Sequence, residues 1–346
     1  MKITVIGDYF LSSGCIREGF ERVLGEAVDV RDVQWDITDR TQAQNQNLLV
    51  EKEGPEGFAC PDYIMDSIAD AEMMVTQFCP INSAMIDHCK HLKAIGVLRG
   101  GVENVACDHA SDRCIQVYNT PGRNANAVAD FTVGLLLTET RNVARGSSVI
   151  GNGAWADESL AGNRMHDMEG RTLGLIGLGN IGLKVAARMH AFEMEILAYD
   201  PFAGEVPDYV RLLPLDEVLK NADYVSMHAR LTHATYHIMD EEKIALMKPD
   251  AYLFNTARSG LIDEKALADA LREGRIKGAG LDVFDREPLP EESPLRSLPN
   301  VTLTPHMAGS TAEAFTGAAV LLAHRLKKQW DGQQSCRPVN WKELQQ

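Results

Sequence analysis

Residues Thr172 to Gly182 read TLGLIGLGNIG. The first five, TLGLI, form a short apolar run of the kind that fills a strand buried on both faces. Three glycines follow, Gly177, Gly179 and Gly182, in the spacing GxGxxG. Asn180 and Ile181 then open a helical pattern, NIGLKVAARMHAF. A second strand-like run, EILAYD, ends in an acid, Asp200, 18 residues after Gly182. GxGxxG alone is a weak pattern. Set between a strand and a helix, with an acid closing the next strand, it predicts one βαβ unit of a doubly wound sheet.

Each part of that unit has a physical task. Gly177 permits a tight turn, Gly179 lets the backbone approach a pyrophosphate, and Gly182 lets the helix pack close to the strand. The helix N-terminus offers N–H groups and the positive end of its dipole to phosphates. Asp200 accepts hydrogen bonds from ribose hydroxyls and repels a 2′-phosphate. The expected cofactor is therefore NAD rather than NADP.

The pattern continues outward. From Arg171 onward the runs TLGLIG, EILAYD, VRLLP, YVSMHA, AYLFNTA, GAGLDVF and VTLTP make a larger parallel sheet. In the first third, KITVIG, VDVRDV, EMMVTQF, LKAIGVL and IQVYNT alternate with amphipathic segments and predict a smaller doubly wound domain. Two long helical patterns, ANAVADFTVGLLLTETRNVAR and TAEAFTGAAVLLAHRLKKQW, bracket the larger sheet. They read as connectors, with the second packing back on the first domain. The polar segment from Asp36 to Pro61 breaks the alternation and reads as a surface excursion.

A chain of 346 residues fits two domains, and 45% apolar with 24% charged residues is ordinary globular composition. The net charge of −15 argues against general binding to nucleic acid or to an anionic membrane. The cysteines are odd in number and scattered, without zinc spacing, as expected for reduced thiols of a cytoplasmic protein. MKITVIG is too short for a signal peptide and reads as a first strand. No run approaches a membrane span, and no metal site is expected.

Ligands of doubly wound sheets sit beyond the carboxyl ends of the strands. After YVSM stand His228, Ala229 and Arg230; after AYLF, Thr256, Ala257 and Arg258; after GAGL, Asp282 and Glu287; after VTLT, His306 and Gly309. Together these supply a guanidinium for a carboxylate, an imidazole for proton transfer and a carboxylate to orient it. In the smaller domain LKAIGV is followed by Leu98, Arg99, Gly100 and Gly101, where paired glycines free backbone amides for an anion.

The motifs GLGNIG, FNTARSGLIDEKALADALREGRIKGAGLDVFDREP and TPHMAGST resemble those of the D-isomer-specific 2-hydroxyacid dehydrogenases, the family that includes 3-phosphoglycerate dehydrogenase. The resemblance covers nearly the whole chain. It implies an NAD-binding Rossmann domain, residues 120–305, inserted into a flavodoxin-like substrate domain formed by 1–119 and 306–346. It implies that Arg258 binds the substrate carboxylate, that His306 is the acid/base and that Glu287 is its partner. Asp282 would meet the nicotinamide carboxamide, Thr256 and Ala257 its ring pocket, and His228 and Ala229 the adenosine half. Gly177, Gly179, Asn180, Ile181, Gly182, Asp200, Arg258, His306 and Gly309 complete the implied cofactor set.

The loop Leu98–Gly101 would hold the substrate carboxylate by backbone amides. Here Arg99 stands where the family usually has glycine, and Glu103 where it has aspartate. The implied reaction moves a hydride between NAD(H) and a D-2-hydroxy acid or 2-oxo acid, one that could carry a second anionic group. An NAD(H)-binding regulatory protein resembling corepressors of the same fold is the alternative; a one-carbon anion as hydride source fits less well, because such relatives have Gln where Glu287 stands. The resemblance also implies a homodimer built on Ala125–Arg145 and the arm IGNGAWADESL, with Trp155 as an interface aromatic.

Overall fold

The computed structural model describes residues 1–155, 165–333, 337–342 and 344. The chain divides into two compact units, Met1–Asn124 with Thr311–Gln346, and Ala125–Ser310. The divisions fall a few residues beyond positions 120 and 306.

The first unit holds a parallel sheet of β1 (Lys2–Gly7), β2 (Asp29–Gln34), β3 (Met73–Thr76), β4 (Ala94–Val97) and β5 (Gln116–Asn119), in the order β2-β1-β3-β4-β5. β3 and β4 are buried at every position, which is why MMVT and AIGV show no alternation. The helix Ser13–Leu24 places Ile16, Phe20 and Leu24 on one face, and the final helix Ala312–Trp330 packs Ala318, Ala319, Leu322 and Leu326 into the same apolar cluster. The last helix thus belongs to the first unit.

The polar surface excursion carries secondary structure of its own. It contains the helix Arg40–Glu53, capped by Asp39, whose side chain accepts from Gln42 N at 2.9 Å. Among the described side chains of this helix, Ala43 and Val50, two turns apart, are the buried ones. So few apolar positions left no readable periodicity.

The second unit holds β6 (Thr172–Ile176), β7 (Glu195–Tyr199), β8 (Val210–Leu212), β9 (Tyr224–Met227), β10 (Tyr252–Asn255), β11 (Gly278–Leu281) and β12 (Val301–Leu303). The strands are parallel, in the order β12-β11-β10-β9-β6-β7-β8. Strand order reverses at β6, so a crevice opens beyond the carboxyl ends of β6 and β9. The expected single connector helix is two helices, Ala125–Thr140 and Val143–Gly151. Asn142 interrupts it at φ 55°, a left-handed conformation that Asn tolerates better than most residues. Its side-chain oxygen accepts from Arg145 Nη1 at 2.9 Å. Leu135 and Leu136 of the first of these helices pack with Leu173, Leu175 and Phe254 of the sheet.

Candidate active site

The turn after β6 is tight because its residues are small. Gly177 has φ +98°, and a Cβ there would stand 2.5 Å from Ala229 N. A Cβ on Gly182 would stand 2.3 Å from the carbonyl oxygen of Gly177. Both glycines are therefore required by backbone contact. Gly179 differs: nothing lies within 4 Å of its Cβ position. It begins the helix Asn180–His190 with no side-chain cap. The first-turn amides thus lack the usual side-chain acceptor and border open space, which fits a pyrophosphate. Asn180 is exposed and Ile181 half-buried beside them.

Asp200, at the end of β7, is already partly engaged. Its Oδ2 accepts from Leu178 N and its Oδ1 from Phe202 N, each at 2.8 Å. The carboxylate thereby ties the glycine turn to the next strand, a task the sequence did not reveal. A pocket lined by Tyr199, Asp200, Pro201, Leu212, Leu213 and Pro214 adjoins it.

At the end of β9, His228 Nε2 lies 2.9 Å from Ser226 Oγ, and burial pushes its pKa down to about 4. It is a neutral imidazole at ordinary pH. Its Nδ1 has no protein partner among the described residues, and Ala229 lies against the Gly177 turn.

Beyond β10, Asn255 shapes the loop. It donates to Arg258 O at 2.9 Å and accepts from Ala257 N at 3.0 Å. Thr132 Oγ1 donates to Val128 O at 2.7 Å, so its oxygen accepts the Thr256 hydroxyl, also at 2.7 Å. Arg258 is exposed, with Nη1 donating to Ala257 O. Neither Asn255 nor Thr132 stood out in sequence. Asn255 sits inside the long motif, but only its two bonds reveal its role.

Asp282, at the end of β11, is fully buried. Its Oδ1 accepts from Thr304 Oγ1 at 2.6 Å and Met307 N at 3.0 Å, and its Oδ2 from Ala308 N at 2.8 Å. It therefore clamps the segment that carries His306. Gly309 lies in the turn closed by Ser310 N on Met307 O.

His306 has φ 49°, and its Nδ1 lies 2.8 Å from Glu287 Oε2. A carboxylate only accepts, so Nδ1 carries the proton and Nε2 is left to exchange one. The Glu287 hydrogen bond raises the His306 pKa, against burial, with the charges of Glu287 and Asp282 adding to the rise and that of Arg258 opposing it. Burial would raise Glu287, but the bond and charge of His306, the Phe284 amide and the Arg258 charge outweigh it, and its pKa is lowered. Phe284 N donates to Glu287 Oε1 at 3.0 Å.

In the first unit, the β4 end carries buried Leu98 and Arg99, then exposed Gly100 and half-buried Gly101. Asn104 is wholly buried and donates to the carbonyls of Gln77 and Cys79, holding the loop to the β3 end. Glu103 folds back against Gly101 and lies 3.6 Å from Arg99 Nη2.

Among the described residues no group of acids, histidines and cysteines could hold a metal ion, and no helix is long and apolar enough to cross a membrane.

Residues 133–308 match the family described as D-isomer specific 2-hydroxyacid dehydrogenase, NAD binding domain. The chain is 38% identical over 288 residues to D-3-phosphoglycerate dehydrogenase of Methanocaldococcus jannaschii, covering 82% of this chain and 54% of that relative. It is 39% identical over 299 residues to hydroxypyruvate reductase of Thermotoga maritima, covering 85% of this chain and 97% of the relative. The crystal structure of TT0316 protein from Thermus thermophilus superposes with a TM-score of 0.73 at 32% identity, covering 98% of this chain and 100% of that one. With this glycine turn, these strand-end residues and these likenesses, the chain belongs to the D-isomer specific 2-hydroxyacid dehydrogenase family of NAD-dependent oxidoreductases.

Proposed function

We propose that the protein interconverts a 2-oxo acid and a D-2-hydroxy acid. The observation that carries this is the 2.8 Å His306–Glu287 pair at the carboxyl end of the NAD-binding sheet. NADH supplies the hydride that reduces the substrate's carbonyl carbon. Arg258 neutralises the carboxylate beside that carbon through a forked pair of hydrogen bonds. His306, held protonated by Glu287, gives the Nε2 proton to the carbonyl oxygen. In oxidation the same nitrogen takes the hydroxyl proton. The Gly177–Gly182 turn holds the pyrophosphate, with Asn180 and Ile181 at its helix start. Asp200 takes the ribose and His228 and Ala229 the adenosine half. Thr256, Ala257, Asp282 and Gly309 surround the nicotinamide. Leu98, Arg99, Gly100 and Gly101 of the first unit take part in substrate binding. The regulatory alternative would leave the His306–Glu287 pair without a task.

The test is NADH oxidation over a panel of 2-oxo acids; no turnover with any of them sinks the reading. NADPH is expected to be poorer in kcat/KM by about 5- to 150-fold, because a carboxylate beside the 2′-phosphate costs about 1–3 kcal/mol. Equal efficiency with NADPH would remove Asp200 as the discriminator.

A homodimer is part of the same proposal. Val143 and Ile150, two turns apart on the helix Val143–Gly151, are 56% and 52% exposed, and Trp155 is 89% exposed. Such an apolar stripe favours a partner surface. The rest of the arm, 156–160, lies outside the described residues. Light scattering at micromolar concentration should give twice the 38.1 kDa chain mass; a single chain's mass refutes the dimer.

A further inference from the structure

We infer that Thr132, on the helix Ala125–Thr140, is a positioning residue for Arg258: through the hydroxyl of Thr256 it fixes the loop after β10 from which the Arg258 guanidinium reaches the substrate carboxylate. This rests on the reading of Arg258 as the carboxylate binder and adds the residue that aims it. All three residues lie in the second unit.

Thr132 is fully buried in mid-helix. A hydroxyl in such a place usually does no more than bond the carbonyl four residues back. Thr132 makes that bond, to Val128 O at 2.7 Å, and the bond uses its hydrogen. Its oxygen keeps lone pairs, and one of them accepts the Thr256 hydroxyl at 2.7 Å. Thr256 is buried as well, so the two form a directed chain that ends on a helix carbonyl. Removing the acceptor would strand a buried donor, and the loop would gain by moving to rehydrate it. The chain thus ties the start of the loop to a helix 124 positions away in sequence.

The rest of the loop is pinned on both sides of Arg258. Before it, the Asn255 side chain bonds Arg258 O and Ala257 N, and Asp282 N donates to Asn255 O at 3.0 Å. After it, His237 N donates to Gly260 O at 2.8 Å and Met239 N to Leu261 O at 3.0 Å. The Arg258 side chain is not held in this way. Its guanidinium is exposed and donates to Ala257 O, a bond that a carboxylate readily replaces. A fixed base thus carries a free head. That head works at close quarters: its charge is felt at both Glu287 and His306, where it favours the ionised carboxylate and the neutral imidazole. A planar fork must meet its carboxylate in register, and a misplacement of about 1 Å costs up to about 100-fold in rate. Thr132 sets the base of that fork through Thr256.

The experiment uses the full chain with NADH and the 2-oxo acid that the wild type reduces best. It compares the wild type with Thr132→Val, Thr132→Ser, Arg258→Met and the double variant Thr132→Val with Arg258→Met. Valine keeps the shape of threonine and removes the acceptor, whereas serine keeps the hydroxyl. Thr132→Val should raise KM for the acid by about 5- to 100-fold, with kcat and its pH profile changed far less. Thr132→Ser should stay near the wild type. In the double variant valine should cost little more kcat/KM than Arg258→Met alone, because the residue it misaims is already gone. Deuterium exchange of the amides in 256–262 should quicken in Thr132→Val and not in Thr132→Ser. Circular dichroism checks that the variants are folded. An unchanged KM in Thr132→Val, losses that add in the double variant, or serine as harmful as valine overturn the inference and leave the reductase reading standing. A wild type that reduces no acid, or an Arg258→Met enzyme with wild-type KM, is a failure of that reading instead. Thr132 is then judged by exchange: loosening confined to the loop upholds it as the loop's anchor, and unchanged protection overturns it.

Discussion

Replacing His306 by alanine should lower kcat by about 10²–10⁴-fold while NADH affinity changes far less, the usual loss when a general acid/base is removed. The Glu287→Gln variant separates proton transfer from mere packing. Glu287 raises the His306 pKa through the 2.8 Å bond, so the reducing rate should stay high until pH climbs through that raised value and then fall. Without the carboxylate the His306 pKa drops, and the fall moves to lower pH. In the oxidising direction His306 must start neutral, and the rise in rate should move to lower pH as well. An unchanged profile in Glu287→Gln would remove Glu287 from the mechanism. The same pair is linked to stability. The lowered Glu287 pKa gives a contribution present above its unfolded value and lost as pH falls through its folded value. The raised His306 pKa gives one present below its unfolded value and lost as pH rises through its folded value.

The second large effect is expected at Gly177. Alanine there would combine a left-handed backbone with a Cβ placed 2.5 Å from Ala229 N and 2.6 Å from the carbonyl carbon of His228. The conformational cost is about 1–2 kcal/mol and the overlap about 1–3 kcal/mol more. The stability of the second unit should fall by about 2–5 kcal/mol in total. Displacement of the β6–helix turn should abolish measurable NADH binding. Urea denaturation followed by far-UV circular dichroism, and NADH titration, check the two arms. Wild-type stability with wild-type NADH affinity would mean that the turn relaxes freely.

Much of this site was legible because its signals are local. GxGxxG spacing and an acid at the next strand end follow from how a helix, a strand and a backbone turn meet, so the βαβ unit around Gly177 could be read directly. The fully buried strands also announced themselves as unbroken apolar runs. What stayed hidden depends on long-range pairing. Thr132 meets Thr256 across the chain, Asp200 spends both oxygens on backbone amides, and Asp282 grips Met307 and Ala308. Nothing in the neighbours of these residues encodes such partners. The helix Arg40–Glu53 was missed for a different reason: its sequence is mostly polar, and Ala43 and Val50 do not make a period. At Arg99 the sequence showed only a long cation where the resembled family usually has glycine. The structure sets that cation 3.6 Å from Glu103 and over the Phe78 ring, contacts that no spacing foretells.

The left-handed backbone at His306 narrows what evolution can try there. Only glycine, asparagine, aspartate and histidine settle readily at a φ near 49°. Of these four, histidine alone exchanges a proton near neutral pH. Main-chain shape thus favours a short list of letters, and proton exchange selects one from it. On the proposed mechanism, asparagine or aspartate there would keep the backbone and lose the proton exchange, whereas a β-branched residue would strain the backbone as well.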